Sequence, residues 1–391
     1  MKFSVLLPTR NRLELLKYAI ETVRRQDYDD WEVIVSDNYS EENIAGYVQS
    51  LNEPRIKYCR TNDFIPVTDN WNNALEKSSG DYVIMLGDDD CLMKGFFTTI
   101  KSLIETYQNP DFIYSSAYLY AYPGVLPDYP KGFLRPYNAA SFFKSSEGPF
   151  LLSKEQALSL VHQSMNFKMS FTYNMQHSTI NRHFIDKLRY TGKFFQSPYP
   201  DFYATNVLLL KAERILICPL PLVTVGISPK SFGFYYFNKQ ENRGIEFLKN
   251  IADKQIVERL RNVILPPASQ DRTSWLIAME TIKVNYGSEF NLAVNYNRYR
   301  YLQILFAYGQ SKEIVADTWK LLRWWEKLLY VPFISIAAKV SKLLPDVLRR
   351  RIVDKIIAII NKTPEIAALK NDHYYENILD VFKNIEPLRN K

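Results

Sequence analysis

The chain has 391 residues, 47% of them hydrophobic, and a formal net charge of +7. This length is sufficient for a full core plus a second, smaller unit. The three cysteines, Cys59, Cys91 and Cys218, show no paired spacing, which excludes a disulfide framework and a zinc site. Arg10 and Arg12 interrupt the apolar start before it reaches the length of a secretion signal, so we expect a cytoplasmic protein.

Short apolar runs alternate with helical patterns over the first part of the chain. The predicted elements are strands at 2–7, 31–35, 56–59 and 82–86 and helices at 13–23 and 71–77. We interpret their order as βαβαβαβ. This order predicts an α/β fold with a mostly parallel sheet and helices on both faces.

Three consecutive aspartates, Asp88, Asp89 and Asp90, follow the fourth predicted strand. Crowded carboxylates raise one another's pKa, whereas a hard divalent cation accepts several of their oxygens and removes the conflict. A loop of solvated aspartates at a strand end is the alternative. Because polar clusters at 9–11 and 37–38 also follow strands, we expect all three clusters to converge on one crevice at the carboxyl ends of the sheet.

The absence of two common nucleotide-binding motifs narrows the range of possible ligand sites. The sequence contains neither G-x-G-x-x-G after the first strand nor G-x-x-x-x-G-K-[ST], so it supports neither a Rossmann dinucleotide-binding site nor a P-loop. With only 13 glycines, the chain is poor in loops that bind phosphate through the backbone alone. A bound metal would share that electrostatic task, which predicts metal-assisted chemistry on a phosphate.

Four segments carry a resemblance to a known family. They are residues 4–12, residues 32–40, Asn72 placed eight residues before Gly80, and residues 80–90. In this order and spacing they resemble a family 2 glycosyltransferase with the GT-A fold, which implies an inverting enzyme that uses a nucleotide-sugar. The resemblance implies that Pro8, Thr9 and Asp37 contact the nucleoside. The full donor site that it implies comprises Pro8, Thr9, Arg10, Asn11, Asp37, Asn72, Asp88 and Asp89.

The same resemblance implies that Asp88, Asp89 and Asp90 are the family's DXD element and hold Mn²⁺ or Mg²⁺ against the diphosphate. Two positions depart from the family pattern. Many relatives have Asp where this chain has Gly87, and many have Arg where it has Trp71. Which of the three aspartates ligates the metal is therefore open, with Asp89 as our first choice, and one diphosphate contact is absent or supplied elsewhere.

A further carboxylate is needed to take the proton of the acceptor hydroxyl. Asp201 lies between aromatic residues in the segment 197–203, which resembles the family's later acidic motif. We predict that Asp201 is the general base of a direct displacement. A helix N-cap is the structural alternative, and the two roles are compatible.

The residues between these motifs are expected to form the acceptor side. Tyr118, Tyr120 and Tyr122 alternate as in a strand and would project to one face, either to stack on sugars or to pack in the sheet. His177 either lines the acceptor crevice or is structural. Segment 121–149 is rich in Gly, Pro and Ser and is predicted to be a long surface loop that can close over the donor.

The pattern becomes helical after about residue 235. We predict a catalytic domain at 1–235, with a nucleotide-sugar half at about 1–110 and an acceptor half at about 111–235, followed by a helical region at 236–391. Helical periodicity covers segments 244–263, 273–284 and 290–306, with Pro266 and Pro267 marking a break.

Segment 319–362 contains ten Lys or Arg and three Asp or Glu, an excess equal to the +7 of the whole chain. No apolar run in it approaches the roughly 20 residues that cross a bilayer. Two interpretations remain: helices lying peripherally on an anionic membrane surface, with a lipid-linked saccharide as acceptor, or a helical subdomain with a solvated basic face. No nucleic-acid motif accompanies the charge, so we expect no nucleic-acid partner.

The predicted activity is transfer of a sugar from a nucleotide-sugar to a hydroxyl of a saccharide or lipid-linked saccharide. A UDP-sugar is the default donor, with GDP- and dTDP-sugars open. Two alternatives are a sugar-phosphate nucleotidyltransferase, which usually has a Gly-rich basic loop after the first strand, and a catalytically silent binding module.

Overall fold

The computed structural model describes residues 1–137, 148–169, 171–238, 252–265, 270–307, 312–330 and 374–386, together with residues 243, 244, 246, 249 and 332. Its strands are β1 (Phe3–Thr9), β2 (Trp31–Asp37), β3 (Ile56–Arg60), β4 (Tyr82–Met85), β5 (Cys91–Leu92), β6 (Phe112–Ala121), β7 (Phe133–Tyr137), β8 (Phe150–Leu152), β9 (Ser178–Asn181) and β10 (Ile215–Ile227).

These strands form one sheet in the order β3-β2-β1-β4-β9-β6-β10-β5, with β7 paired to β6 and β8 paired to β10. Strands β3, β2, β1 and β4 run parallel to one another, and β6 runs parallel to β10. Strand β9 lies antiparallel between β4 and β6, so it joins the two parallel parts. The predicted α/β class with a mostly parallel sheet is confirmed, and the antiparallel pairings of β5, β7, β8 and β9 make the sheet mixed.

The helices are α1 (Leu13–Arg24), α2 (Ile44–Ser50), α3 (Val67–Glu76), α4 (Phe96–Thr106), α5 (Lys154–Met165), α6 (Arg182–Lys187), α7 (Pro200–Lys211), α8 (Phe232–Phe237), α9 (Lys254–Arg259), α10 (Gln270–Phe290), α11 (Tyr296–Ala307), α12 (Lys312–Leu321), α13 (Trp324–Leu329) and α14 (Ile378–Asn384). Alternation along β1 places Leu6 in one apolar cluster and Val5 and Leu7 in another. The sheet therefore has a core on each face, as predicted.

Local sequence signals explain where the early elements begin and end. Helix α2, whose residues were not assigned from the sequence, begins after Asn43, whose side chain accepts a hydrogen bond from the Gly46 amide at 3.0 Å. Helix α3 begins four residues before the predicted start at Trp71, directly after Pro66. Its first turn is polar, so apolar periodicity alone set the predicted start too late.

Helices dominate the described residues beyond 235, as predicted. Helix α10 covers the predicted segment 273–284, whereas α11 covers only 296–306 of the predicted segment 290–306, because residues 291–295 are not helical. Helix α14 packs in the same apolar cluster as β1 and α1 through Ile378, Val381 and Phe382. The domain boundary at 235 stays a prediction. Pro266, Pro267 and most of the basic segment 319–362 lie outside the described residues. Among those described, no helix has the length and hydrophobicity needed to cross a bilayer.

The tyrosines of β6 pack in the sheet. Tyr120 is fully buried, contacts the Tyr122 ring at 4.8 Å and donates a hydrogen bond to the Tyr375 carbonyl oxygen at 2.7 Å. Tyr118 packs against the same apolar cluster. The stripe thus follows the packing interpretation. Within the predicted loop 121–149, residues 133–137 instead form β7, and residues 138–147 lie outside the described part of the chain.

Candidate active site

One cavity of about 610 Å³ opens at the carboxyl ends of β1 and β4. It is lined by Pro8 and Thr9 of β1, by Arg10 and Arg12 of the β1–α1 connection, and by Gly87, Asp88, Asp89 and Asp90 after β4. The same cavity is lined by Tyr199, Pro200, Asp201 and Phe202 at the start of α7, and by Asp271 and Trp275 of α10. The topology therefore brings the predicted aspartate cluster and the predicted base to one cavity.

Hydrogen bonds from residues distant in sequence fix the aspartate cluster. Asp88 accepts a hydrogen bond from the Thr9 hydroxyl at 2.6 Å, and Asp89 accepts one from the Ser228 hydroxyl at 2.6 Å. Asp90 accepts from the backbone amides of Gly87 and Gly226, each at 2.8 Å. Both carboxylate oxygens of Asp90 thus accept hydrogen bonds from backbone amides. In Asp88 and Asp89 these hydrogen bonds use Oδ2, and Oδ1 is close to Arg12.

Arg12 is the cation nearest to those two oxygens. Its guanidinium lies 2.9 Å from Oδ1 of Asp88 and 3.6 Å from Oδ1 of Asp89. Burial raises the pKa of Asp88 to about 6, although Arg12 acts in the opposite direction. Burial and the neighbouring Asp89 raise the pKa of Asp90 well above its usual range. The cluster is therefore an electrostatically expensive arrangement that Arg12 partly compensates.

Two glycines make room for the cluster. A Cβ at Gly87 would lie 2.4 Å from Oδ2 of Asp90, because the Asp90 side chain folds back onto the Gly87 amide. This contact accounts for a residue without a side chain at position 87. A Cβ at Gly226 would lie 2.0 Å from the carbonyl oxygen of Asp89, so β10 approaches the cluster closely only because residue 226 has no side chain.

Three of the predicted donor residues lie behind the cavity. Asn11, Asp37 and Asn72 all fall within the described range 1–137 and are not part of its wall. Asp37 is fully buried and accepts hydrogen bonds from Tyr58 at 2.7 Å and from Arg60 at 3.3 Å. Their contact with a donor stays a prediction.

Asn11 and Asn72 instead connect segments of backbone. Asn11 adopts a left-handed conformation, and its carbonyl oxygen accepts a hydrogen bond from Lys230 at 2.6 Å. The Asn72 amide donates to the Phe195 carbonyl oxygen at 2.9 Å and accepts from its amide at 3.1 Å. Asn72 thus anchors the segment that leads into α7, where Asp201 lies.

A second cavity of about 620 Å³ shares Arg10 and Phe64 with the first. Arg10 stacks on the Phe64 ring at 3.8 Å, and Arg60 lies 5.0 Å from the Tyr39 ring in the wall of the second cavity. Because Asp37 accepts from Arg60 and from the Ser40 amide, it supports this wall from behind. The two cavities together form a groove bordered by arginines and aromatic rings.

Asp201 lies in an aromatic environment in the wall of the first cavity. It occupies the first turn of α7 after Pro200, and its Oδ1 accepts a hydrogen bond from the Met175 amide at 2.9 Å. Burial raises the pKa of Asp201 to about 7, and hydrogen bonds from backbone amides only partly oppose that rise. The N-cap position belongs to Tyr199, so the capping alternative for Asp201 does not hold.

Aromatic rings form the wall around Asp201. The rings of Tyr199 and Phe202 stack at 5.3 Å, Phe232 contacts Tyr199 at 4.7 Å, and Trp275 contacts Phe202 at 4.8 Å. His177 is buried behind this wall, stacked on Tyr114, with its Nδ1 2.8 Å from the Ser115 carbonyl oxygen. Burial lowers the pKa of His177 to about 4, which fits its structural interpretation.

Several residues of the site were not assigned a role from the sequence. Arg12 belongs to the N-terminal motif, so its position after β1 was an available signal. Gly226 lies in β10, Ser228 directly follows that strand, and Trp275 lies in α10. Their spacing from the other site residues follows no local sequence pattern. Only the pairing of β10 with β6 and β5 and the packing of α10 bring them to the cavity.

Residues 4–170 match the family model described as "Glycosyl transferase family 2". This part of the chain is therefore similar to family 2 glycosyltransferases. The resemblance found in the motifs of the first ninety residues is thereby confirmed. The aspartate cluster of the cavity lies within the matched residues. Asp201 and the α10 residues that line the same cavity lie beyond them.

Two curated relatives match parts of the chain. Over 102 residues it is 40% identical to the GalNAc(5)-diNAcBac-PP-undecaprenol beta-1,3-glucosyltransferase of Campylobacter jejuni, a match covering 25% of this chain and 33% of the relative. Over 148 residues it is 32% identical to the putative colanic acid biosynthesis glycosyl transferase WcaA of Escherichia coli, covering 36% and 52% respectively. The matches thus span between a third and about half of these relatives' lengths.

Among solved structures, the chain is similar to Staphylococcus aureus TarS 1–349. The TM-score is 0.47 and the sequence identity 17%, over 82% of this chain and 89% of the TarS chain.

Proposed function

We propose that this chain is an inverting, metal-dependent glycosyltransferase that moves a sugar from a nucleotide-sugar to a hydroxyl of a saccharide or lipid-linked saccharide. One observation carries the proposal: a single cavity contains both a buried aspartate cluster beside Arg12, which we call the donor end, and Asp201, with a pKa of about 7, which we call the acceptor end. The first arrangement suits a diphosphate with a cation, and the second suits proton removal from a hydroxyl.

The donor is assigned to the end formed by β1 and β4. Arg10 and Arg12 lie where they can face the diphosphate, and the groove past Phe64 and Tyr39 offers stacking surfaces for a nucleoside. A UDP-sugar is the proposed donor because it is common in the family that the sequence resembles. The curated relative whose name includes PP-undecaprenol supports a lipid-linked acceptor.

Oδ1 of Asp88 and Oδ1 of Asp89 fit a divalent cation. Both are hard donors close to the same guanidinium, so they face one region of the cavity. Among the described residues, no group of three or more His, Cys, Asp or Glu is placed to hold a metal alone. Mg²⁺ is commonly held by one or two carboxylates together with substrate phosphates, which matches two ligands here. We therefore assign Asp88 and Asp89 as ligands for Mn²⁺ or Mg²⁺ and Asp90 as their support. When bound, such a cation neutralises charge on the leaving diphosphate.

The displacement requires four events. The acceptor oxygen forms a bond to the anomeric carbon, and the bond from that carbon to the diphosphate oxygen breaks. The electron pair leaves with the nucleoside diphosphate, beside Arg12. The hydroxyl proton passes to Asp201, whose raised pKa places it near the pH at which a base is most effective. The rings of Tyr199, Phe202 and Trp275 surround the site of proton transfer, exclude water and offer flat faces for a sugar.

The test uses the purified chain with Mn²⁺, a panel of nucleotide-sugars and a panel of saccharide and lipid-linked acceptors. Asp201→Asn should lower transfer about 10²- to 10⁴-fold, the usual contribution of a general base. It should leave donor binding, measured by thermal shift or calorimetry, unchanged. Asp27→Asn is the matched control, because Asp27 is an exposed aspartate in the connection between α1 and β2 and does not line the cavity.

Three outcomes would contradict the proposal. Full transfer by Asp201→Asn would remove Asp201 as the base. Donor binding without transfer to any acceptor, in the wild-type chain and in the variant alike, would favour a binding module. Release of inorganic pyrophosphate from a nucleoside triphosphate and a sugar phosphate would identify a nucleotidyltransferase instead.

A further inference from the structure

Exposed apolar side chains are concentrated on α12 and α13. Of the twelve large hydrophobic side chains that the described residues expose, five lie between residues 319 and 329. They are Trp319, Leu321, Trp324, Leu328 and Leu329, which we call the Trp-Leu patch. Trp324, Leu328 and Leu329 are 75%, 67% and 64% exposed. Single exposed apolar residues are common on proteins, whereas a cluster of this kind marks an interaction surface.

A buried ion pair fixes the orientation of the patch. Arg300 of α11 donates two hydrogen bonds to Glu326 of α13, at 2.6 and 2.7 Å, and both side chains are buried. Arg300 also donates to the carbonyl oxygen of Leu321, at the end of α12. Rotating α13 to bury the patch would separate this pair and leave an uncompensated buried charge. The outward direction of the Trp-Leu patch is therefore built into the packing.

Leu322 supports the same conclusion. It lies between α12 and α13 and packs with Leu265 and Ile304 in a small apolar cluster. The apolar residues of this segment are thus divided between an inner set that packs and an outer set that stays exposed. Such a division is typical of an amphipathic element.

Basic side chains border the patch. Lys320 is exposed, Arg323 lies between the two helices, and the Lys327 ammonium lies 5.3 Å from the Trp319 ring. Glu326 is buried with Arg300, and Asp317 pairs with Lys320 at 2.9 Å. Lysine and arginine stems can lie along an apolar surface while their charged ends reach phosphate groups. Tryptophan favours the boundary between lipid headgroups and acyl chains.

We propose that the Trp-Leu patch docks on an anionic phospholipid membrane, with Trp324, Leu328 and Leu329 inserted at the headgroup boundary and Lys320, Arg323 and Lys327 on the lipid phosphates. The charge of the surrounding segment argues for this partner over a neutral one, because residues 319–362 carry the +7 excess. The patch is connected to the active-site cavity. Arg272 of α10 donates to the carbonyl oxygen of Leu302 in α11, and α10 supplies Trp275 to the cavity wall.

The experiment is co-sedimentation of the full chain with two kinds of vesicle, one of phosphatidylcholine alone and one with about a third phosphatidylglycerol. The wild-type chain should bind the anionic vesicles, release as salt is raised, and bind the neutral vesicles weakly. A variant with Trp324→Ser, Leu328→Ser and Leu329→Ser should bind at least about tenfold more weakly. A second variant, with Lys320→Glu and Lys327→Glu, should lose the preference for anionic lipid.

Val284→Ser is the matched control, because Val284 is an exposed apolar residue of α10 outside the patch. The control should bind as the wild type does. Thermal unfolding and nucleotide binding of each variant separate lost docking from lost folding. Failure of the wild-type chain to bind anionic vesicles would overturn the proposal, as would unchanged binding by the triple serine variant. Self-association of the wild type that only the triple variant abolishes would identify a second copy of the chain as the partner and would also overturn it.

Discussion

The carboxylates of the donor end, Asp88 and Asp89, and the carboxylate of the acceptor end, Asp201, lie in different electrostatic environments. At the donor end, Asp88 and Asp89 lie beside Arg12, whose guanidinium opposes the rise in the pKa of Asp88 that burial causes. At the acceptor end, Asp201 accepts a backbone hydrogen bond among aromatic rings, and burial raises its pKa to about 7. Carboxylates beside a cation are suited to hold charge, whereas one among aromatic rings is suited to take a proton.

The comparison predicts different kinetic signatures for substitutions at the two ends. Asp88→Asn and Asp89→Asn should each abolish the stabilisation that a nucleotide-sugar with Mn²⁺ gives to the fold, and should lower transfer by about 10²-fold or more. Asp201→Asn should keep that stabilisation and lose only transfer. Thermal shift and initial rates on the same preparations test this contrast. Equal loss of donor binding at both ends would remove the division between them.

Arg12 should be energetically coupled to Asp88. Arg12→Ala leaves a buried carboxylate without its cation and should lower the free energy of unfolding by about 3–5 kcal/mol. Adding Asp88→Asn removes the uncompensated charge, so the double variant should be less destabilised than the sum of the two single changes. Urea denaturation of the four proteins completes the cycle. Strictly additive effects would show that the 2.9 Å contact contributes no coupling.

Gly226→Ala should disturb the donor end through the backbone. The added Cβ would meet the Asp89 carbonyl oxygen at 2.0 Å, so β10 or the aspartate loop must shift. We expect a loss of about 1–3 kcal/mol in the free energy of unfolding, together with weaker donor binding. Gly233→Ala is the control, because its nearest contact would be an ordinary 3.5 Å. Equal effects of the two substitutions would argue against a tight fit at Gly226.

The sequence predicted the donor end more completely than the acceptor end. Apolar runs located β1 to β4, and the rule that parallel strands present ligands at their carboxyl ends brought Thr9 and Asp88 together correctly. These residues lie within one contiguous βα region whose order follows the chain. The periodic pattern of apolar residues was therefore sufficient to predict most of the donor end.

The acceptor end depends on packing between distant segments. Asp201 was predicted from a motif, but its environment comes from Trp275 and from the segment anchored by Asn72 and Phe195. No local pattern specifies which aromatic ring faces Asp201. Asn72 was assigned to the donor by resemblance, whereas in the structure its side chain makes two hydrogen bonds with the Phe195 backbone and one with the Thr68 backbone, because an amide can bind a neighbouring segment as well as a ligand.

The ionisation of Asp201 should affect stability and activity in opposite directions: as pH rises, transfer should increase and the free energy of unfolding should decrease. The folded-state pKa of Asp201, about 7, is above its ordinary value of 3.8, so the folded chain binds more protons between these values and is destabilised as pH rises. Asp201→Asn should therefore unfold at a higher temperature than wild type at pH 8 and at a similar temperature near pH 4. Calorimetric scans across this range measure the difference. A variant that is less stable at every pH would contradict the raised pKa.

The pH dependence of transfer tests the central claim most directly. If Asp201 is the base, kcat/KM of the wild-type chain should rise with pH along a one-proton limb centred near 7, falling about tenfold per pH unit below it. In Asp201→Asn the limb centred near 7 should disappear, and any remaining pH dependence should follow Asp88, whose pKa burial raises to about 6. A limb that persists unchanged in the variant would show that another group takes the proton.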